Sequence, residues 1–147
     1  MTPAGARPAV LFDADGTLTD SDYLHVHAWY RAFSEACVDV LARDDLVSAV
    51  TSSQDVDTAT PQPDTVQVAL ERARVDARDA VFIGDAVWDV EACERAGAPT
   101  IAVLSGGVSR GEFETAGAQA VFENASDLCA HLHGTAIGQL AKAVQTA

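Results

Sequence analysis

The sequence predicts an α/β fold: a three-layer core in which a mostly parallel sheet carries helices on both faces. Short apolar runs alternate along the chain with longer segments whose apolar residues recur at helical spacing, the pattern of repeated strand and helix units. Two of the apolar runs end in acidic residues, which is typical of strands that end at the ligand-binding edge of an open sheet. At 147 residues, the chain suits one domain of this kind.

The first third of the chain predicts one strand, one long helix and a second apolar run. Residues 8–13 form a short apolar segment that ends in a loop, which indicates a buried strand. Over residues 22–41 apolar side chains recur every three or four positions, behind Ser21 as an N-cap, so we expect an amphipathic helix. The second apolar run, residues 46–51, leads into a polar loop at residues 52–63.

The rest of the chain continues the alternation. Pro63 suits the first turn of a helix, with Val66, Leu70 and Ala73 on its inner face. The further elements expected are a strand at 81–84, a helix at 87–96 closed by Gly97, a strand at 100–104, a short helix from about 111, a strand at 120–122 and a helix at 127–132. We assign residues 1–133 to the core and residues 134–147 to a tail or weak helix.

Composition and charge exclude several classes of function. The net charge of −13 argues against binding to nucleic-acid backbones or anionic membranes, and it would repel an anionic substrate unless a cation intervened. No apolar segment approaches the length that a bilayer requires. The first eight residues lack the features of a signal peptide, so we expect a cytoplasmic protein.

Four carboxylates follow the two acidic strands: Asp13 and Asp15 after the first, Asp85 and Asp89 after the strand at 81–84. Acids at neighbouring strand ends suggest a hard cation, and an aspartate there can attack phosphorus while a second carboxyl serves as acid and base. A calcium loop does not fit. Such a loop has glycine at its sixth position and a bidentate Glu at its twelfth, but counting from Asp13 the glycine is at the fourth position and the twelfth is Leu24.

Two motifs, DADGTLTDS at residues 13–21 and GDAVWD at residues 84–89, together resemble motifs I and IV of the haloacid dehalogenase-like (HAD) hydrolases, especially their phosphatase and phosphomutase branch. The resemblance implies a Rossmann-like core and hydrolysis of a small phosphorylated metabolite. Asp13 would form an aspartyl-phosphate, with Asp15 as acid and base. Asp13, Asp85 and the backbone carbonyl of Asp15 would hold Mg²⁺, and Asp89 would bind it directly or orient one of its water ligands.

The resemblance also implies a shortened member of the family. Only residues 19–50 lie between the DADGTL part of motif I, residues 13–18, and Thr51, enough for one long helix but not for a cap domain and a further core strand. In one alignment, Thr51 and Ser52 supply the motif II hydroxyl that binds the phosphoryl group. In the alternative, which we favour, the motif II strand and the cap are both absent, and Thr51 and Ser52 occupy the vacant place.

Motif III departs from the family pattern, because Thr60 stands where a lysine is expected before Pro61. Losing such an electrostatic group costs about 10²–10³ in rate. The only lysine in the chain is Lys142, which leaves Arg43 or Arg110 as stand-ins. Two hypotheses lead: a weak Mg²⁺-dependent phosphatase, or a degenerate relative that binds metal, a phosphorylated ligand or a protein partner without turnover. A third, phosphoryl transfer to a sugar as in phosphomutases, shares the same motifs but normally relies on the missing cap.

Apolar side chains outside the motifs lead to three further expectations. Trp29, Tyr30 and Phe33 give the helix at 22–41 more apolar surface than a small core can bury, so we expect a homodimer or a protein partner that shields Asp13. Trp88 is expected to pack against the protein. The three cysteines, Cys37, Cys93 and Cys129, are expected to be buried core residues.

Overall fold

The computed structural model describes residues 8–13, 17, 51, 55 and 61–145. Within them lie four strands and five α-helices: β1 (Ala9–Phe12), α1 (Asp64–Ala73), β2 (Ala80–Gly84), α2 (Val87–Ala96), β3 (Thr100–Val103), α3 (Arg110–Ala116), β4 (Ala120–Phe122), α4 (Ala125–His131) and α5 (Ala136–Gln145). The helix predicted at 22–41 and the apolar run at 46–50 lie outside the described residues.

The four strands form one parallel sheet in the order β1-β2-β3-β4. Ala9 pairs with Ala80, Phe82 with Thr100, and Ile101 with Ala120. Because α2 and α3 carry the chain back between successive strands, all four strands end at the same edge of the sheet. The parallel α/β prediction is confirmed.

Helices cover the two faces of this sheet, and alternate strand residues point to each. On one face Ala80 and Phe82 pack with α1 and α2, around buried Leu70 and Cys93. A neighbouring cluster around Phe113 joins α2, α3 and β3 on that side. On the other face one group unites β2 and β3 with α4 and α5 (Val81, Ile83, Ile101, Val103, Leu128, Ile137, Leu140). The core therefore has three layers.

Most of the predicted boundaries agree with the structure, and caps explain the differences. α2 begins and ends as predicted, with Gly97 in the left-handed region at φ 78°. α3 begins at Arg110 because Ser109 and Glu112 form a reciprocal capping box. α4 begins two residues before the predicted start because the side chain of Asn124 accepts the backbone N–H of Asp127.

The C-terminal segment is a packed helix rather than a loose tail. In α5, Ala136, Ile137 and Leu140 contact the cluster formed by β2, β3 and α4. Cys93 is buried as predicted, but Cys129 is exposed on α4, so that expectation was wrong. The neighbouring Leu128 provides the buried contact of this helix. No helix in the described part of the chain is long and apolar enough to cross a membrane.

Candidate metal and phosphoryl site

The site lies where β1 and β2 end side by side. The ladder between these strands continues past Phe12, since the backbone N–H of Asp13 donates to the carbonyl of Ile83 at 2.9 Å. Asp85 directly follows β2, and Asp89 lies in the first turn of α2. Strand pairing thus fixes the first acid, and the turn from β2 into α2 brings the other two to the same edge.

Three carboxylates converge at this edge. One carboxylate oxygen from each of Asp13, Asp85 and Asp89 lies within 4.8 Å of the others. The hydroxyl of Thr17 donates to Oδ1 of Asp85 at 3.4 Å, which ties the turn after β1 to the acid after β2. The three carboxylates are therefore close enough together to coordinate a single cation.

Asp89 is the most deeply placed of the three acids, with 9% of its surface exposed. Burial, together with the nearby charge of Asp85, raises the pKa of Asp89 to about 6, although the backbone N–H of Ala86 acts in the opposite direction. A Cβ at Gly84 would lie 2.7 Å from Oδ2 of Asp89, so the lack of a side chain at residue 84 allows this carboxylate to approach the strand.

The chemistry of these donors fits a hard divalent cation. All three offer carboxylate oxygens, which Mg²⁺ prefers. Oδ2 of Asp89 is buried and has no hydrogen-bond partner among the described residues. A buried carboxylate oxygen without a partner is costly, and a cation or its bound water would satisfy it.

The family model for haloacid dehalogenase-like hydrolases matches residues 30–103, half of the chain. The chain belongs to the haloacid dehalogenase-like hydrolases. The matched range includes Asp85 and Asp89 and begins after Asp13. A search of curated proteins found no match to the sequence.

Solved structures share the fold. A hydrolase from Pseudomonas syringae has a TM-score of 0.68 and 22% identity, covering 88% of this chain and 100% of its own. A predicted phosphatase from Clostridium acetobutylicum has a TM-score of 0.59 and 26% identity, covering 71% of this chain and 48% of its own. A HAD family hydrolase from Deinococcus radiodurans, solved with bound phosphate and sodium, has a TM-score of 0.57 and 22% identity, covering 71% and 48%. The chain spans about half the length of the latter two relatives.

The structure brings together three of the residues predicted for this HAD-like site: Asp13, Asp85 and Asp89. The other predicted site residues Asp15, Ser52 and Thr60 lie outside the described residues, as does the stand-in Arg43. Thr51 is half-buried, and among the described residues no hydrogen bond joins it to the three acids.

The structure places Arg110, one of the two possible stand-ins for the motif III lysine, away from the three acids. Its guanidinium donates to the carbonyl of Val121 at 2.7 Å and pairs with Glu123 at 3.1 Å. These contacts hold it at the end of β4, two strands away from β2. The sequence could not show these contacts of Arg110, because they form only when α3 packs beside the end of β4.

Two residues outside the predicted set of site residues also touch the site, Thr17 and Gly106. Thr17 belongs to motif I, and its signal in the sequence was a hydroxyl side chain directly after Gly16. Gly106 lies against Asp85, and its signal in the sequence was the glycine pair after β3. Trp88, which was expected to pack, is 57% exposed, because the neighbouring Asp89 and Val90 take the inward positions of α2.

The raised pKa of Asp89 predicts a pH dependence of stability in metal-free protein. A carboxyl whose pKa rises from 3.8 to about 6 on folding favours the folded state at low pH. That contribution is complete below about pH 4 and is lost as the pH rises through about 6. Between pH 5 and 7.5 in EDTA, wild type should therefore lose on the order of 1 kcal/mol of unfolding free energy relative to Asp89→Asn, as measured by urea denaturation. Parallel pH profiles for the two proteins would contradict the raised pKa.

Proposed function

We propose that this HAD-family chain is a Mg²⁺-dependent hydrolase of small phosphate monoesters that works through an aspartyl-phosphate on Asp13. The convergence of Asp13, Asp85 and Asp89 at the carboxyl edge of the sheet is the observation that carries this proposal. A family relative of the same fold holds phosphate and a cation, the two kinds of ion that the proposal requires.

The proposed reaction uses the chain's own carboxylates. An oxygen of Asp13 forms a bond to phosphorus while the bond from phosphorus to the ester oxygen breaks, and the leaving oxygen takes a proton from the carboxyl of Asp15. Asp15 then accepts a proton from water as that water attacks phosphorus. The second step releases phosphate and restores the Asp13 carboxylate.

The metal in this proposal would be held by Asp13, Asp85, Asp89 and the backbone carbonyl of Asp15. When bound, Mg²⁺ would offset the negative charge shared by the acids and the phosphoryl group. Thr17 keeps the Asp85 carboxylate oriented through its hydrogen bond. Asp89 contributes a buried carboxylate oxygen that is otherwise unsatisfied.

We propose weak turnover, because position 60 carries threonine instead of the family's lysine. Thr51, Ser52 and Thr60 would contact the phosphoryl group through hydroxyls, which provide hydrogen bonds but no positive charge. The rival function, binding of metal or a phosphorylated ligand without turnover, rests on this same substitution and is separated from the first by the assays below.

We further propose that no cap domain covers the site and that a second copy of the chain does so. The two large apolar side chains exposed in the described part of the chain, Phe12 at 50% and Trp88 at 57%, each directly precede a site acid. Apolar surface in such a place favours an interface. The unusually apolar segment containing Trp29 would supply further contact area.

Magnesium should stabilise the fold by mass action, and Asp85→Ala should abolish the effect. At one hundred times the dissociation constant the gain is about 2.7 kcal/mol, visible as a rise in melting temperature during MgCl₂ titration. Glu114→Ala, which removes an exposed acid from α3, is the matched control and should respond as wild type does. If Asp85→Ala and wild type respond equally, the metal binds elsewhere.

Thr60→Lys should raise phosphatase turnover on a small aryl phosphate by restoring positive charge beside the phosphoryl group, with a gain of about 10–10³-fold. Thr58→Lys adds the same charge two residues away and should not reproduce the gain. Asp13→Asn provides the blank. Fast turnover by wild type that the lysine does not change would refute the motif III argument, and equal rates for wild type and Asp13→Asn would favour the non-catalytic function.

The proposed interface predicts a dimer at micromolar concentration. Light scattering should give about twice the monomer mass of 15.3 kDa, and Trp29→Ser should shift the equilibrium to monomer. A wild-type protein that remains monomeric under these conditions, with the fluorescence of Trp29 reporting full burial, would remove both the dimer and the reason for proposing it.

A further inference from the structure

We infer that Gly106, outside the recognised motifs, is a positioning residue for Asp85 and sets the affinity of the site for Mg²⁺. The inference rests on the proposed role of Asp85 as a metal ligand. It concerns the turn after β3, which lies against the acid that follows the neighbouring strand.

The register of the sheet places this turn next to the site. β2 and β3 are parallel, with Ile83 opposite Ile101 and Gly84 opposite Ala102. The segments that leave these two strands therefore emerge side by side. Asp85 begins the first segment, and the 3₁₀ turn Leu104–Gly106 begins the second.

The contact between the two segments leaves no room for a side chain at residue 106. A Cβ there would lie 3.0 Å from the carboxyl carbon of Asp85 and 2.5 Å from its backbone oxygen, and it would overlap Oδ2. The obstacle includes backbone, so a rotation of the Asp85 side chain alone would not relieve it. A methyl group at this position must move Asp85 as a whole or displace the turn.

The neighbouring glycine has a different reason for its identity. Gly107 adopts φ 77° and its N–H closes the turn onto the carbonyl of Leu104 at 3.4 Å, but a Cβ on it would meet nothing within 4 Å. Glycine at 107 is therefore needed for the backbone conformation of the turn, whereas glycine at 106 is needed for the close approach of the turn to Asp85. Changing each glycine in turn therefore tests the conformation of the turn and its contact with Asp85 separately.

Displacement of Asp85 should affect Mg²⁺ more than a larger cation. Mg²⁺ requires near-octahedral geometry at short distances, while Ca²⁺ accepts longer and more irregular coordination. Residues that orient metal ligands commonly alter affinity by about 10–100-fold when they are changed. Gly106 should therefore control Mg²⁺ affinity and the preference for Mg²⁺ over Ca²⁺ together.

The test compares Gly106→Ala with wild type, Gly107→Ala and Gly111→Ala by calorimetric titration with MgCl₂ and with CaCl₂. We expect Gly106→Ala to bind Mg²⁺ about 10–100-fold more weakly and to change Ca²⁺ affinity by less than about threefold. Gly107→Ala should lower the melting temperature through its strained φ while keeping wild-type Mg²⁺ affinity. Gly111, whose Cβ would meet nothing within 4 Å, is the neutral control.

Three results would overturn the inference: unchanged Mg²⁺ binding by Gly106→Ala, equal losses for Mg²⁺ and Ca²⁺, or the same loss in Gly107→Ala. Absence of Mg²⁺ binding by wild type would instead overturn the proposed metal site itself. If Gly106→Ala does not fold, Asp85→Gly is added to it, because glycine removes the carboxylate and lets the backbone oxygen of residue 85 move away from the new methyl group. Recovery of folding would support contact with Asp85 as the cause, and continued failure would count against it.

Discussion

Parallel pairing of β1 with β2 is the constraint on which the candidate site depends. The register from Ala9–Ala80 to Phe12–Ile83 brings the ends of two strands, far apart in sequence, to the same level. The hydrogen bond from Asp13 to Ile83 extends this pairing into the site. A slip of one residue would turn Asp13 to the opposite face of the sheet and separate it from Asp85. The buried side chains on both faces of β2 prevent such a slip, so the core of the fold also sets the geometry of the acids.

That geometry has an electrostatic cost in the absence of a cation. Asp89 is held close to Asp85 and away from water, and its raised pKa reflects both effects. Glycines at 84 and 106 let backbone approach the two carboxylates where any side chain would interfere. A protein that needed only stability would gain by replacing these acids, whereas a site for a divalent cation needs them together. This cost therefore supports the proposed metal site.

Local sequence signals predicted much of the fold and part of the site. The helix from Val87 to Gly97 could be predicted because its periodicity and its terminal glycine agree, and the acids after β1 and β2 could be placed at one edge because parallel strands end together. The packed α5 could not, since its stability comes from contacts with β2 and β3 rather than from strong local signals. The pairing of Arg110 and the close approach of Gly106 are likewise contacts between segments. Motif II and motif III stay predictions, because Ser52 and Thr60 lie outside the described part of the chain.

The most direct measurement is anomalous diffraction from crystals of the full chain soaked in MnCl₂, with Mn²⁺ as a substitute for Mg²⁺ at an oxygen-ligand site. We expect one strong peak per chain at the carboxyl edge of β1 and β2, within coordination distance of Asp13 and Asp85 and joined to Asp89 directly or through water. The same soak of Asp85→Ala should lose that peak. A full-occupancy ion bound elsewhere while this edge holds none, or a peak that persists in Asp85→Ala, would contradict the claim that these three acids form one metal site.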